Sequence, residues 1–421
     1  MVNQSTFIPL AISIPIINIL LDMLMIFYPD LKSQAGFIRT AFLLFIIIYF
    51  FIIYGLEKTR YNISLLFYIL FILILTLQTS DLKESLIDGF LKISISFLMI
   101  PIGMQLGKTK NVRITKSLYF VIFILIINYV ISQIYKIGVS TYHEDSFYQG
   151  GASVTAPIII GCIMLVFFNA YNTKRLHYSK ILNLIIIVIS ILIILVSMKR
   201  GAILGFFVGA LVYLLVSSKK AGTLMRFGIV AFGLFILSNE YSDTLKQRFN
   251  ARSTEKNLIQ NENRYKETFY VAEEMSNSTL YKVLLGDEAF NSKYVMRKYF
   301  GRERQLHVDY NILIHGTGII GLLFYFYLFY TFFKLSLSIK RSSSFVKDHD
   351  YRNLISENHA LVLSLICLSL VMSISGGIQF VSYRVILFFI IGFYIGEMMK
   401  LRNHKLSEIH KKEVASPTEY I

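Results

Sequence analysis

Residues 179–200 read SKILNLIIIVISILIILVSMKR, an almost unbroken apolar run that ends in the charged pair Lys199 and Arg200. About 20 apolar residues in a helix cross the roughly 30 Å hydrocarbon layer of a bilayer. Similar runs recur along all 421 residues, which are 55% hydrophobic, have a mean hydropathy of +0.59 and include only 16% charged residues. Soluble domains carry about 25% charged residues. The sequence therefore predicts an all-α, polytopic membrane helix bundle.

Polar gaps divide these runs into about twelve predicted transmembrane helices. The predicted spans are residues 7–28, 38–55, 62–79, 86–105, 117–135, 153–171, 179–197, 201–217, 222–238, 309–333, 357–375 and 379–398. The first span is too long for a signal-peptide core and has no small-residue cleavage site after it, so we expect it to remain. Cys162 and Cys367 both lie inside spans, which argues against a disulfide framework or a zinc site.

The distribution of Lys and Arg predicts the orientation in the membrane. Gaps on the side of the N-terminus hold several times as many basic residues as the short gaps on the other side. This asymmetry is the positive-inside rule, so we expect a multi-pass membrane protein with both termini cytoplasmic. The net charge of +16 then reflects topology and attraction to anionic membrane lipid. It does not indicate a nucleic-acid partner.

One long polar segment stands out among the short gaps. The predicted organisation is nine spans in residues 1–238, an extracytoplasmic loop at 239–306, three spans in 307–398 and a cytoplasmic tail at 399–421. A membrane protein with a single large loop is expected to carry its working part there. Apolar residues recur at helical spacing in the loop, which predicts an amphipathic helix lying on the membrane or on neighbouring spans. That stripe consists of Tyr265, Phe269, Ala272 and Met275.

Charged residues inside membrane spans are costly and indicate functional sites by default. Five occur here, all in the predicted outer half of their spans: Asp22, Arg39, Asp88, Lys92 and Arg384. Two simpler explanations remain open. Asp88 and Lys92 are four residues apart and can pair on one helix face, and long basic side chains can reach the interface on their own. The shared depth of the five also suits a polar cavity that opens outward.

Four further residues gather around the loop. Arg200 is either an interfacial anchor or an anion clamp, since a guanidinium binds phosphate through two parallel hydrogen bonds. Arg264 lies three residues before Glu267, so a surface ion pair is its simpler role. His307, where the loop meets the membrane, is either structural or a general base beside Asp309.

Several short motifs in this region resemble the O-antigen polymerase and O-antigen ligase superfamily. Residues 197–201 (SMKRG) look like its Ser-x-Ser-Arg-Gly turn, and residues 264–267 (RYKE) and 284–286 (LLG) look like its arginine-bearing loop helix and the motif after it. Residues 307–311 (HVDYN) and 316–322 (GTGIIGL) look like its histidine/asparagine motif and the start of the next span. The chain departs from the family pattern at Lys199, where the family often has serine, and in the separation of His307 from Asn311.

The resemblance implies a membrane glycosyltransferase that polymerises oligosaccharide repeat units carried on undecaprenyl diphosphate. The product would be surface polysaccharide, an O-antigen or capsule, made at the outer face of the bacterial cytoplasmic membrane. His307 or Asp309 would be the catalytic base, and Arg200 and Arg264 would stabilise the leaving diphosphate. Basic charge would replace a metal, so no metal and no cofactor are expected.

The resemblance also implies further site residues and partners. Further candidate residues of the cavity are Lys199, Asn311, Arg39 and Arg384. The expected partners are the undecaprenyl-diphosphate-linked oligosaccharide and membrane lipid. A protein that regulates chain length is a further candidate partner.

Other functions stay open at this point. A ligase would transfer the finished glycan to a terminal acceptor, and a flippase or other secondary transporter would move the lipid-linked oligosaccharide. Transporters are commonly built from repeats around a midplane site, and the sequence shows neither a repeat nor midplane charge. Peptidoglycan polymerases of the shape, elongation, division and sporulation class also have one large outer loop. A structural assembly subunit would use the loop for docking.

Overall fold

The computed structural model describes residues 4–110, 112–138, 155–176, 178–197, 199–220, 222, 224, 263–301, 305–343, 346, 348–376 and 380–415. Across these residues the fold is all-helical and contains no β-strand. The predicted fold class is therefore confirmed in its coarse form, a helical multi-pass membrane protein.

The helices are named here in chain order. They are α1 (Gln4–Phe27), α2 (Lys32–Tyr54), α3 (Arg60–Thr76), α4 (Leu82–Lys108), α5 (Thr115–Tyr135), α6 (Ala156–Asn172), α7 (Lys180–Val196), α8 (Arg200–Val216), α9 (Asn263–Ser276), α10 (Leu280–Leu285), α11 (Lys293–Phe300), α12 (Asp309–Ser342), α13 (His349–Ser375) and α14 (Val381–Ala415). The first part of α4, Ser85–Leu91, is π-helical.

Seven helices of the described chain are long and apolar enough to cross a membrane, namely α1, α2, α4, α5, α12, α13 and α14. Four shorter apolar helices, α3, α6, α7 and α8, have 17 residues each. At about 1.5 Å per residue they are shorter than a hydrocarbon layer of roughly 30 Å. The prediction of twelve spans is therefore not confirmed. Its ninth span, 222–238, lies outside the described residues except for 222 and 224.

The core is organised around α14, whose most apolar stretch is completely buried. Two glycine pairs with the spacing Gly-x-x-x-Gly face each other, Gly103 and Gly107 on α4 and Gly392 and Gly396 on α14. A Cβ atom added at any of them would lie 2.0–2.3 Å from a carbonyl oxygen of the other helix. Small residues at this spacing let two membrane helices approach to backbone contact. The two parallel helices thus form a rigid central pair.

Helices α8 and α13 run antiparallel, which places Arg200. A Cβ on Gly205 would lie 3.0 Å from the sulfur of Met372, and a Cβ on Gly209 3.4 Å from the carbonyl oxygen of Ser364. Arg200, the first residue of α8, therefore lies level with the C-terminal end of α13. Helices α9 to α11 pack at this same end of the bundle, which we call the loop end. The other end is called the opposite end.

The predicted loop helix is present as α9, and one face of it is buried in the protein. Glu267, Val271 and Met275 are buried. Phe269 is exposed, as is Ala272. Of the predicted stripe, Met275 therefore lies against the protein, whereas Phe269 and Ala272 lie on the open face of the helix.

The segment predicted as a tail, 399–421, begins as a continuation of the last helix. Helix α14 extends from the last span to Ala415 without a break. Residues 416–421 lie outside the described part of the chain.

Candidate functional site

Helix α10 lies on the start of α12, backbone against backbone. Gly318 has a φ of +64° and interrupts α12, a conformation that glycine adopts without strain. A Cβ at this position would lie 2.3 Å from the carbonyl oxygen of Leu284, and a Cβ on Gly286 would lie 2.4 Å from the carbonyl carbon of Gly316. The two glycine-bearing motifs quoted from the sequence therefore form a single contact. It fixes the loop on the bundle.

Polar contacts tie the rest of the loop to the N-terminal end of α4. Lys293 on α11 pairs with Glu84, whose other oxygen accepts a hydrogen bond from the Gln305 amide at 2.9 Å. The Ser80 hydroxyl donates to Glu288 at 2.8 Å. The loop is thus attached both to α4 and to α12, and the residues between these attachments are held over the loop end of the bundle.

His307 is held at the junction of the loop with α12. Its backbone N–H donates to Glu267 Oε2 at 2.9 Å, and its ring Nδ1 lies 3.4 Å from Glu267 Oε1. Its carbonyl packs against Gly376 after α13, where an added Cβ would lie 1.9 Å away. The Glu267 side chain is 0% exposed, whereas the His307 side chain is 41% exposed. A buried carboxylate therefore lies beside an imidazole that is partly exposed.

Asn311 is positioned by the same loop helix. Its side-chain amide donates to the Thr268 hydroxyl at 2.9 Å, and Asn311 itself is buried. Glu267 and Thr268 are consecutive in α9, so one turn of this helix contacts both ends of the segment from His307 to Asn311. The structure brings these two predicted site residues together.

Asp309 is enclosed, unlike His307. It forms an ion pair with Arg384, and their side chains are 0% and 2% exposed. The remaining guanidinium hydrogens point at the hydroxyls of Tyr325 at 3.3 Å, Ser373 at 3.2 Å and Tyr383 at 3.2 Å. A buried carboxylate committed to a guanidinium is a poor acceptor for a substrate proton. Of the two predicted bases, His307 has the suitable geometry, and Asp309 joins α12 to α14.

The other charges predicted to line an outward cavity occur as local pairs. Arg39 donates to Asp22 at 2.6 Å, and the second Asp22 oxygen accepts from Thr155 at 2.8 Å. Lys92 pairs with Asp88 at 2.6 Å, as their spacing of four residues predicts. The five charges in the spans thus belong to three separate pairs, counting that of Arg384 and Asp309. The structure does not bring Arg39 and Arg384 into one cluster.

Arg200 and Lys199 lie in the turn between α7 and α8 at the loop end. Arg200 is exposed, whereas Lys199 is partly buried, and burial lowers the pKa of Lys199 to about 7. Arg200 is therefore the more accessible cation of the pair. Arg264 lies in the first turn of α9, but its side chain, like that of Tyr265, falls outside the described part.

The sequence alone does not predict the contact of Glu267 with His307. Its position three residues after Arg264 suggested a surface ion pair, but it is buried against His307, 40 residues away. Nothing in the local sequence signals a contact over this distance. A weak sign is available in retrospect, because Glu267, Val271 and Met275 share one helix face with a spacing of four residues.

The described residues offer no group of three or more His, Cys, Asp or Glu side chains that could hold a metal ion. Among known proteins, no family model matches the chain and no curated sequence matches it. What His307 and its neighbours can do chemically is therefore the main guide to function.

Proposed function

We propose that this protein polymerises oligosaccharide repeat units, carried on undecaprenyl diphosphate, into a surface polysaccharide at the outer face of the bacterial cytoplasmic membrane. The observation that supports this most directly is the His307–Glu267 pair. A general base needs an exposed nitrogen and a partner that fixes its ring. His307 has both, at the place where the loop meets the spans.

The proposed reaction is a displacement at the anomeric carbon of the donor sugar. The oxygen of an acceptor hydroxyl attacks this carbon while His307 Nε2 takes the hydroxyl proton. The bond from the anomeric carbon to the diphosphate oxygen breaks, and its electron pair leaves with undecaprenyl diphosphate. Glu267, next to Nδ1, stabilises the imidazolium that forms, as the carboxylate of a catalytic triad does.

The leaving diphosphate requires positive charge. Arg200 is exposed at the loop end, and its guanidinium can bind two phosphate oxygens at once. Arg264 precedes Glu267 by one helical turn on α9 and is the second proposed contact. Fixed cations at this position stabilise charge as it develops on the leaving group. The lipid tail of the donor would enter between spans, which accounts for a site at the bilayer surface.

Within this proposal Asp309 and Arg384 are structural. Their buried pair joins the first turn of α12 to the start of α14, directly beside His307. Asn311, bound to Thr268, holds the same turn from the loop side. These contacts position the catalytic histidine, and they make no contact with substrate in our scheme.

The proposal requires the loop end to face outward, and cysteine labelling tests this. Ser276 ends α9 and Asp350 lies in the first turn of α13 at the opposite end; both are exposed. A cysteine at Ser276 should react with a membrane-impermeant maleimide in intact cells, and a cysteine at Asp350 should react only after the cells are opened. The reverse pattern would invert the topology and refute the proposed location.

Activity is tested with purified full-length protein and lipid-linked repeat units, with products resolved on a gel. We expect a ladder of polymer lengths from the wild-type protein and from His349→Ala, which changes an exposed histidine at the opposite end. His307→Ala should give no ladder. In cells, deletion should leave single repeat units on their acceptor and no long chains. Long polymer that accumulates on undecaprenyl diphosphate after deletion would instead identify a ligase.

A further inference from the structure

A cavity of about 230 Å³ opens at the opposite end of the bundle, separated from His307 by the length of the spans. It lies between the link before α5, the end of α6, and helices α13 and α14. Its lining includes Asn358, which is buried, and Arg113 and Arg175, which are exposed. The cavity thus has a polar interior and a basic rim.

The lining carries more positive than negative charge. It contains Arg113, Arg175 and Lys400 against one carboxylate, Glu397, so three positive charges minus one negative charge leave a surplus of two. Glu397 is already engaged, since it pairs with Arg175 and accepts from the Asn358 amide at 3.1 Å. The two surplus cations are therefore Arg113 and Lys400.

Lys400 on α14 and Arg113 in the link before α5 line the cavity from different elements. The Lys400 ammonium donates to the carbonyl oxygen of Thr109 at 3.2 Å, a neutral acceptor, and the Glu397 carboxylate that partly compensates its charge is shared with Arg175. Arg113 is exposed at the rim. A guanidinium and an ammonium on two sides of one polar cavity match the oxygens of a phosphate group.

We propose that this cavity binds a phosphate group, supplied either by the headgroup of an anionic phospholipid or by a soluble phosphate compound. Pockets for drug-sized ligands start at about 300 Å³, so this cavity suits a headgroup and is too small for a lipid-linked oligosaccharide. Basic pockets between membrane helices at the cytoplasmic side bind anionic lipid headgroups. The predicted topology places this cavity on that side. The site is independent of the function proposed for the loop end.

The test measures binding of phosphatidylglycerol, phosphatidylcholine and glycerol 3-phosphate to purified full-length protein in neutral detergent, by native mass spectrometry. Arg113→Gln/Lys400→Gln removes the two surplus charges. Lys110→Gln/Lys116→Gln removes two charges from exposed residues of the same region that do not line the cavity. We expect the dissociation constant to rise about fivefold for each cavity charge removed, or about 25-fold for both. The control variant should bind as the wild-type protein does.

The two phosphate sources are separated by the ligands themselves. Tight binding of phosphatidylglycerol with weak binding of glycerol 3-phosphate identifies a lipid site, and equal binding of both identifies a soluble phosphate compound. Equal weakening in the cavity variant and the control would reduce the effect to general surface charge and overturn the proposal. So would wild-type protein that binds neither phosphate ligand better than phosphatidylcholine. If the double variant fails to fold, Arg113→Gln alone should still show the fivefold change.

Discussion

Two buried glutamates, at the two ends of the bundle, are used in different ways. Glu357 at the opposite end accepts hydrogen bonds from Asn172 at 2.9 Å, Tyr213 at 2.6 Å and Ser217 at 2.8 Å. It also accepts from the backbone and hydroxyl of Ser218. Glu267 at the loop end is as deeply buried, but it holds His307, whose ring is 41% exposed.

Burial of a charged side chain therefore does not by itself identify a functional site. The partners of Glu357 come from α6, α8 and the residues after α8, so its carboxylate joins helices and presents nothing to a substrate. Glu267, by contrast, is held in the buried interior and contacts the exposed ring of His307. If this distinction is correct, substitution of Glu357 should change mainly stability, and substitution of Glu267 should change mainly activity.

The largest expected effect on stability concerns the buried ion pair of Asp309 and Arg384 at the loop end. Asp309→Asn leaves the Arg384 charge without its partner, and breaking a buried ion pair costs about 3–5 kcal/mol. Thermal unfolding in detergent should show this loss. Asp88→Asn breaks the exposed pair with Lys92 and should cost under about 1 kcal/mol. An Asp309→Asn protein that melts at the wild-type temperature would show that this ion pair does not stabilise the loop end.

The next effect concerns the contact of α10 with α12. Gly318→Ala adds a Cβ that meets the backbone of Leu284 and strains a positive φ, which should cost about 2–4 kcal/mol and lower activity as the loop shifts. Gly301→Ala is the matched control, since its φ is +62° and nothing lies within 4 Å of the new Cβ. It should cost only about 1 kcal/mol. Equal melting temperatures for the two variants would contradict a tight docking of the loop.

Replacing each of the two glutamates with glutamine tests whether they have different roles. Glu357→Gln places an amide among hydrogen-bond donors and should cost about 1–3 kcal/mol of stability, with unchanged activity per folded molecule. Glu267→Gln still accepts from the His307 backbone, so its stability should change less. Its activity should fall about 10²-fold or more, since loss of the orienting carboxylate of a catalytic triad costs up to about 10⁴-fold. If both variants lost stability and activity to the same extent, the two glutamates would not have different roles.

A smaller effect is expected at the proposed diphosphate contact. Arg200→Lys keeps the charge but loses the planar fork that binds two phosphate oxygens, so polymerisation should fall about tenfold, a change of roughly 1.4 kcal/mol in the barrier. Initial rates with lipid-linked repeat units give this value. Full activity in the lysine variant, at normal protein level, would return Arg200 to the role of an interfacial anchor.

Local sequence patterns predict what is local in this structure. Apolar runs indicate the positions of the membrane helices, and the spacing of Asp88 and Lys92 predicts their pairing. The contacts that build the candidate site are long-range, such as Arg384 with Asp309 across 75 residues. Hydropathy carries no information about them, because they depend on how elements distant in the sequence pack against one another. The predicted count of twelve spans is not confirmed, because a hydropathy profile does not separate helices of 17 residues from longer spans.

Chemical rescue tests whether His307 is the base that deprotonates the acceptor hydroxyl. His307→Gly should reduce polymerisation by about 10²–10⁴-fold, the range for loss of a positioned base, in a protein that remains folded. Added imidazole should restore activity in proportion to its concentration. It should not restore Arg200→Ala, which keeps the base. Near-normal activity of His307→Gly, or a folded and inactive variant that no concentration of imidazole rescues, would contradict this role.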